Sequence, residues 1–150
     1  MATALDTTLT ALAALEAAIV PTGGVTPIGS PNAYAQLPKP TASTPLDLPC
    51  VINLVRAWEN KDEDQIQGRI VTQYLIEIYL FTFADDVEDA WVDAQPYITP
   101  MQKMLFQPGL NQVIGAITEV HGGSQGYYKY RDRTYYGLKF NFLADIHEML

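Results

Sequence analysis

Asp145, His147 and Glu148 come closest to a metal-ligand set in this chain. Two carboxylates and one imidazole with no second histidine nearby still fall short of the usual donor set. A frayed polar tail accounts for them, and no metal is expected. His121, beside Gly122 and Gly123, could serve as a general base only with a Ser or Cys nucleophile to activate, and no nucleophile motif exists. Gly122, Gly123 and Gly126 imitate a phosphate-binding loop, but they fall between two strand-like runs, whereas nucleotide loops lead from a strand into a helix N-terminus. A turn over 122–126 is the simpler reading. Asp85, Asp86, Glu88, Asp89 and Asp93 could pair as catalytic carboxylates or hold Mg²⁺, yet helix capping, the helix dipole and exposure explain each of them. The residues therefore predict no catalytic site, no cofactor and no enzyme.

One constellation points to binding. Lys129, Arg131, Arg133 and Lys139, four of the nine basic residues, interleave with Tyr127, Tyr128, Tyr130, Tyr135 and Tyr136. Such a row can stack on single-stranded nucleic acid. It equally describes a protein interface, where Tyr and Arg are enriched. Nine basic against seventeen acidic residues give a net charge of −8, which repels phosphate, so protein contact is the expectation. DNA can pass such a surface without being held. The acidic residues Asp86, Asp89 and Asp93 supply a complement on a neighbouring copy.

The elements that would position these residues come from periodicity. One hundred and fifty residues, 48% of them apolar, suit one domain over 1–150, and the lone Cys50, at the head of an apolar run, reads as a buried thiol. No apolar run is long enough for a membrane helix and no signal-type stretch opens the chain, so no membrane is expected and the cytoplasm is the expected site of assembly. Residues 5–20 predict an amphipathic helix with Leu5, Leu9, Leu12, Leu15 and Ile19 on one face. Residues 21–49 hold seven of the ten prolines and almost no charge, which predicts an extended arm or loop, with a short edge strand over 32–37. Residues 50–58 and 69–83 predict a hairpin around a charged turn. At about 3.3 Å per residue the second leg would span about 50 Å, longer than a domain of this size is wide, so it must bend or project. Tyr74 and Ile76 are assigned to the projecting half, and replacing both with Asp is expected to leave the monomer folded. An acidic helix from Asp85, kinked at Pro96 and restarted at Thr99-Pro100, leads to strands over 112–121, 127–130 and 134–143. In the last strand Tyr136, Leu138, Phe140 and Phe142 face one way and Tyr135, Gly137, Lys139 and Asn141 the other. The fold class is α+β: a mostly antiparallel sheet of about four to five strands, with the N-terminal helix and a second, Pro-kinked helical segment on one face.

This order resembles the tail terminator proteins of long-tailed bacteriophages, small head–tail joining proteins that cap a completed tail tube. The stretches that carry the resemblance are Leu48-Pro-Cys-Val-Ile-Asn-Leu-Val55, the strand over 70–83 running into Asp85-Asp86, and Tyr135-Tyr-Gly-Leu-Lys-Phe-Asn-Phe142. The resemblance implies a virion protein of the tail and neck, forming a ring, commonly of six subunits, that seats on the tail tube protein, offers its other face to the head connector or stopper protein, and lets DNA through its lumen. Candidate interface residues are Tyr74, Ile76, Tyr127, Tyr128, Tyr130, Arg131, Arg133, Tyr135, Asp86, Asp89 and Asp93. The alternatives are another head- or tail-completion or tube-type joining protein, or a small ligand-binding or enzymatic α+β domain.

Overall fold

Three long strands pair along nearly their whole length and form the middle and one side of the sheet. The computed structural model describes residues 4–21, 27–35, 46–61, 69–84, 90–106, 116–130 and 133–149. In chain order these are helix α1 (Ala4–Ala17), strands β1 (Ala33–Tyr34), β2 (Cys50–Asn60) and β3 (Arg69–Ala84), helix α2 (Ala90–Ala94), a 3-10 turn (Gln95–Tyr97), helix α3 (Ile98–Phe106), and strands β4 (Ala116–Tyr130) and β5 (Arg133–Met149). The sheet order is β1-β2-β3-β5-β4; β1 runs parallel to β2 and every other pair is antiparallel. This is the α+β architecture expected, with α1 and the kinked α2–α3 segment on one face.

The helix-covered face follows from alternation. Ile76, Ile78 and Leu80 of β3, and Tyr136, Leu138, Phe140, Phe142 and Ala144 of β5, are buried there with Val51 of β2. Onto them pack Leu9 and Leu12 from α1 and Ala94, Tyr97, Met101, Met104 and Leu105 from the second helical segment. Pro96 sits in the 3-10 turn, so the segment kinks rather than breaks, and α3 starts at Ile98, one residue before Thr99. The opposite face holds a smaller cluster of Cys50, Ile52, Phe81 and Tyr135, sealed at one end by Leu46 and Leu48 from the end of the Pro-rich stretch. Earlier in that stretch Ile28 is buried in the main core, and β1 is a short edge strand inside 32–37. The side chains of Phe83 and Trp91, and the helix start at Asp85-Asp86, lie outside the described residues.

Two expectations about the strands are corrected. The long strand does not project, because β5 runs on to Met149 and pairs with it from Arg69↔Met149 to Ala84↔Tyr135. Residues 145–148 are thus strand and not a frayed tail; Asp145 and Ile146 are buried. Nor do Gly122–Gly126 make a turn. They lie within β4, which stays paired with β5 from Ala116 to Tyr130 and absorbs its irregularity as register shifts at Ile117/Glu119 and Val120/Gly122. Gly122 has φ near +86°, a conformation open to glycine at no steric cost, and a bulge at an edge strand is where such a residue fits.

Candidate interaction surface

The tyrosine-rich row is split between the two faces of the sheet by the strand period of two. On the helix side Tyr127 is half exposed and meets Tyr136 edge-on, with ring centroids 4.9 Å apart. On the other side Tyr128 lies edge-on to Tyr79 at 5.3 Å, and Tyr135 stacks on Phe81 at 5.1 Å. Tyr135 is only 2% exposed, and its hydroxyl accepts a hydrogen bond from the Leu46 backbone N–H at 3.3 Å. Tyr130 is half-buried against the same cluster. Arg133 is exposed, Asp93 is half exposed on α2, and Asp86, Asp89 and Arg131 lie outside the described residues. The sequence row is therefore not one patch, and Tyr135 is a core residue rather than a contact.

Ile76 is corrected in the same way. It is fully buried between Val55 of β2 and Phe142 of β5, on the helix-covered face. Tyr74, two residues earlier, is half-buried and packs against that core. It lines a groove of about 480 Å³ with Leu5 and Leu9 of α1 and Asn53, Val55 and Trp58 of β2. Trp58 is 69% exposed. Unbroken alternation would put Trp58 on the face of Ile52 and Leu54. The register shift between Val55 and Ala57 inserts Arg56 as an extra residue and turns Trp58 to the α1 side, opposite Tyr74. Nothing in the residue types announces that bulge.

Lys139, expected in the basic row, is instead committed inward. Glu77 is 4% exposed and accepts hydrogen bonds from Arg56 Nε at 2.6 Å, from Lys139 Nζ, and from the Tyr79 hydroxyl at 3.2 Å. Burial raises the Glu77 pKa, but the hydrogen bonds from Lys139 and Arg56 outweigh it and hold the carboxyl below its ordinary value. The Glu77 hydrogen bond in turn raises the pKa of both Lys139 and Arg56. Glu77→Gln is expected to cost about 2 kcal/mol, discounted because Arg56 is largely exposed. Because the folded-state pKa is lowered, the contribution is full above the unfolded carboxylate range and lost as pH falls through the folded value. Urea titrations across acidic pH should show wild type weakening more steeply on acidification than the Gln variant. Farther along the same face Asp145 accepts from Lys61 Nζ at 2.9 Å and from Gln73 Nε2 at 3.2 Å. Among the described residues no three His, Cys, Asp or Glu side chains gather to hold a metal ion.

What remains for partners is edges and aromatics. Among the described residues, β1 pairs with β2 only at Val51 and Ile52, so the outer edge of β2 beyond Asn53 carries no strand. β4 is the other edge of the sheet along Ala116–Tyr130. Trp58 stands beside the first edge and Tyr127 on the second, and Val92 and Phe106 are further exposed apolar side chains on the helical layer. Such edges are templates for pairing with another chain. Set against known proteins, the chain matches no family model and no curated protein.

Proposed function

We propose that the chain is a structural joining protein of the tail-terminator kind, working as a homo-oligomeric ring, six copies in the simplest case, that caps a tail tube, stops its polymerisation and meets the head connector. The observation that carries this reading is the pair of sheet edges, on opposite sides of one sheet, that pair with no further strand among the described residues, each with an exposed aromatic residue. Two different surfaces on one subunit make a heterologous, head-to-tail contact, and such contacts close into rings when the rotation permits. The net charge of −8 suits a lumen through which DNA passes without adhering. The resemblance supplies the tail context, and assembly would take place in the host cytoplasm before incorporation into the virion.

Light scattering of purified protein, alone and with tail tubes, tests the reading. A ring-sized species that binds tubes supports it; a strict monomer that ignores tubes sinks it. Electron microscopy of particles lacking the protein separates a terminator, whose loss leaves overlong or unjoined tails, from another completion or tube-type joining protein. Trp58→Asp and Tyr127→Asp should each lower the ring fraction at least tenfold while far-UV circular dichroism stays unchanged, since both side chains are about half exposed or more. For a small-molecule site the groove beside Trp58 is a favourable feature, but among the described residues its lining holds no acid, base or nucleophile beyond the Tyr74 phenol.

A further inference from the structure

Glu16 lies on the apolar stripe of α1, four residues after Leu12 and three before Ile19, and is fully buried. Its Oε1 accepts a hydrogen bond from Asn53 Nδ2 of β2 at 2.6 Å, and the same amide nitrogen donates to the Tyr34 backbone carbonyl of β1 at 3.1 Å. One side-chain amide thus ties three elements together. Two buried oxygens are left over, Glu16 Oε2 and Asn53 Oδ1, and neither meets a donor among the described residues. Both are acceptors, so they cannot satisfy one another while Glu16 is ionised. A single proton on Oε2 would supply the missing donor, letting the carboxyl O–H donate to Asn53 Oδ1 while Oε1 keeps its bond from Nδ2.

We infer that Glu16 is a neutral carboxylic acid closing a two-bond ring with the Asn53 amide, and that this pair is a proton-operated latch holding α1 and β1 onto β2. The inference does not depend on the ring-forming role. The helix-face positions of β3 beside Asn53, namely Ile76, Ile78 and Leu80, are apolar. On α1 the other acid, Asp6, is ten residues away, nearly three turns. β1 offers Tyr34, which meets the pair through its carbonyl and whose ring belongs to the cluster on the opposite face. Neighbouring helix-face positions of β2 are Val51 and Val55, those of β5 are Leu138, Phe140, Phe142 and Ala144, and Lys103 of α3 is exposed. No cation offsets an ionised Glu16 among these groups. Burial accordingly raises its pKa to about 8, against a smaller lowering by the Asn53 hydrogen bond.

The sign follows. A carboxyl whose folded pKa is raised leaves the latch at full strength below the unfolded value of 4.5 and weakens it as pH climbs to about 8. Hydrogen exchange of α1 and β1 amides, corrected for intrinsic exchange chemistry, should show opening that rises about tenfold per pH unit between those limits. In Glu16→Gln, whose amide reproduces both bonds, the opening should be independent of pH. In wild type with ¹³C-labelled Glu carboxyls, the one resonance missing from Glu16→Gln should keep the position of a protonated acid at pH 6.5. An ionised Glu16 at that pH, an equal pH slope in the Gln variant, or a Gln variant that fails to fold would each overturn the inference.

Discussion

Ile76→Asp is expected to leave no folded monomer. The side chain is wholly shielded from solvent on the middle strand of the sheet, flanked in register by Val55 and Phe142 and covered by the helical layer. A carboxylate there has no cation or donor to offset its lost hydration among the described residues that flank it, and remaining neutral at pH 7 requires a large upward pKa shift. Either route, together with the lost isoleucine packing, costs about 5 kcal/mol or more, comparable with the whole stability of a domain this size. Far-UV circular dichroism and urea titration check it directly, with Ile76→Val as a control that should lose only about 1 kcal/mol. Tyr74→Asp should be milder, because Tyr74 is half-buried at the wall of an open groove. A cooperatively unfolding, native-like Ile76→Asp monomer would show that this stretch of β3 is not core.

Gly137→Val should be comparably damaging for a different reason. Gly137 pairs with Phe81 of β3 on one side and Gly126 of β4 on the other, next to the register shift between Phe81 and Phe83. A Cβ built on Gly137 would overlap the Leu80 carbonyl oxygen and crowd the Phe81 Cα, both backbone atoms that cannot rotate away. Relief requires β3 and β5 to separate where their pairing is the backbone of the fold, at an expected cost above about 4 kcal/mol. Gly126 directly across is the internal control, since a Cβ there meets nothing within 4 Å. Gly126→Ala should change stability by less than about 1 kcal/mol. If Gly137→Val melted like Gly126→Ala, the close approach of the two backbones would be wrong.

Two of the buried acids, Glu77 and Glu16, pull stability in opposite directions with pH. Glu77 strengthens the fold as pH rises out of the acid range, because its lowered folded pKa means the unfolded chain binds the extra proton. Glu16 weakens the fold as pH rises, because its raised folded pKa keeps the proton in the native state. Both acids sit beneath the sheet surfaces, one on each face, so neither is available to a charged partner. Trp58 and Tyr127, the side chains proposed for contact, are uncharged, so association through them would depend less on salt than a contact built on ion pairs.

The alternation of Ile76, Ile78 and Leu80, and of Tyr136, Leu138, Phe140 and Phe142, was readable from the chain because a strand has a period of two and these runs carry no Gly or Pro beyond Gly137. The stripe of Leu9, Leu12 and Ile19 was equally plain, and the same spacing placed Glu16 among them; the signal for a buried acid was present, masked by the habit of assigning charge to solvent. Other features had no local signature. That β3 is paired rather than projecting depends on β5 reaching Met149, eighty residues further on. That Gly122–Gly126 continue a strand depends on β5 supplying their partners, since the same glycines alone favour a turn.

The interface residues divide along the same line. Residue type marked Tyr127 and Tyr135 as equal candidates, and only the covering of one face by Leu46 and Leu48 buried Tyr135 while Tyr127 stayed at an edge. Trp58 went unmarked because one extra residue at Arg56 reverses the faces of everything after it in β2, and a bulge is decided by the partner strand's register. Composition and periodicity are properties of the chain and carried the core, the strand faces and the acidic balance. Pairing partners, bulges and the commitment of Lys139 to Glu77 are properties of what lies across the sheet, and those were decided only when the strands met.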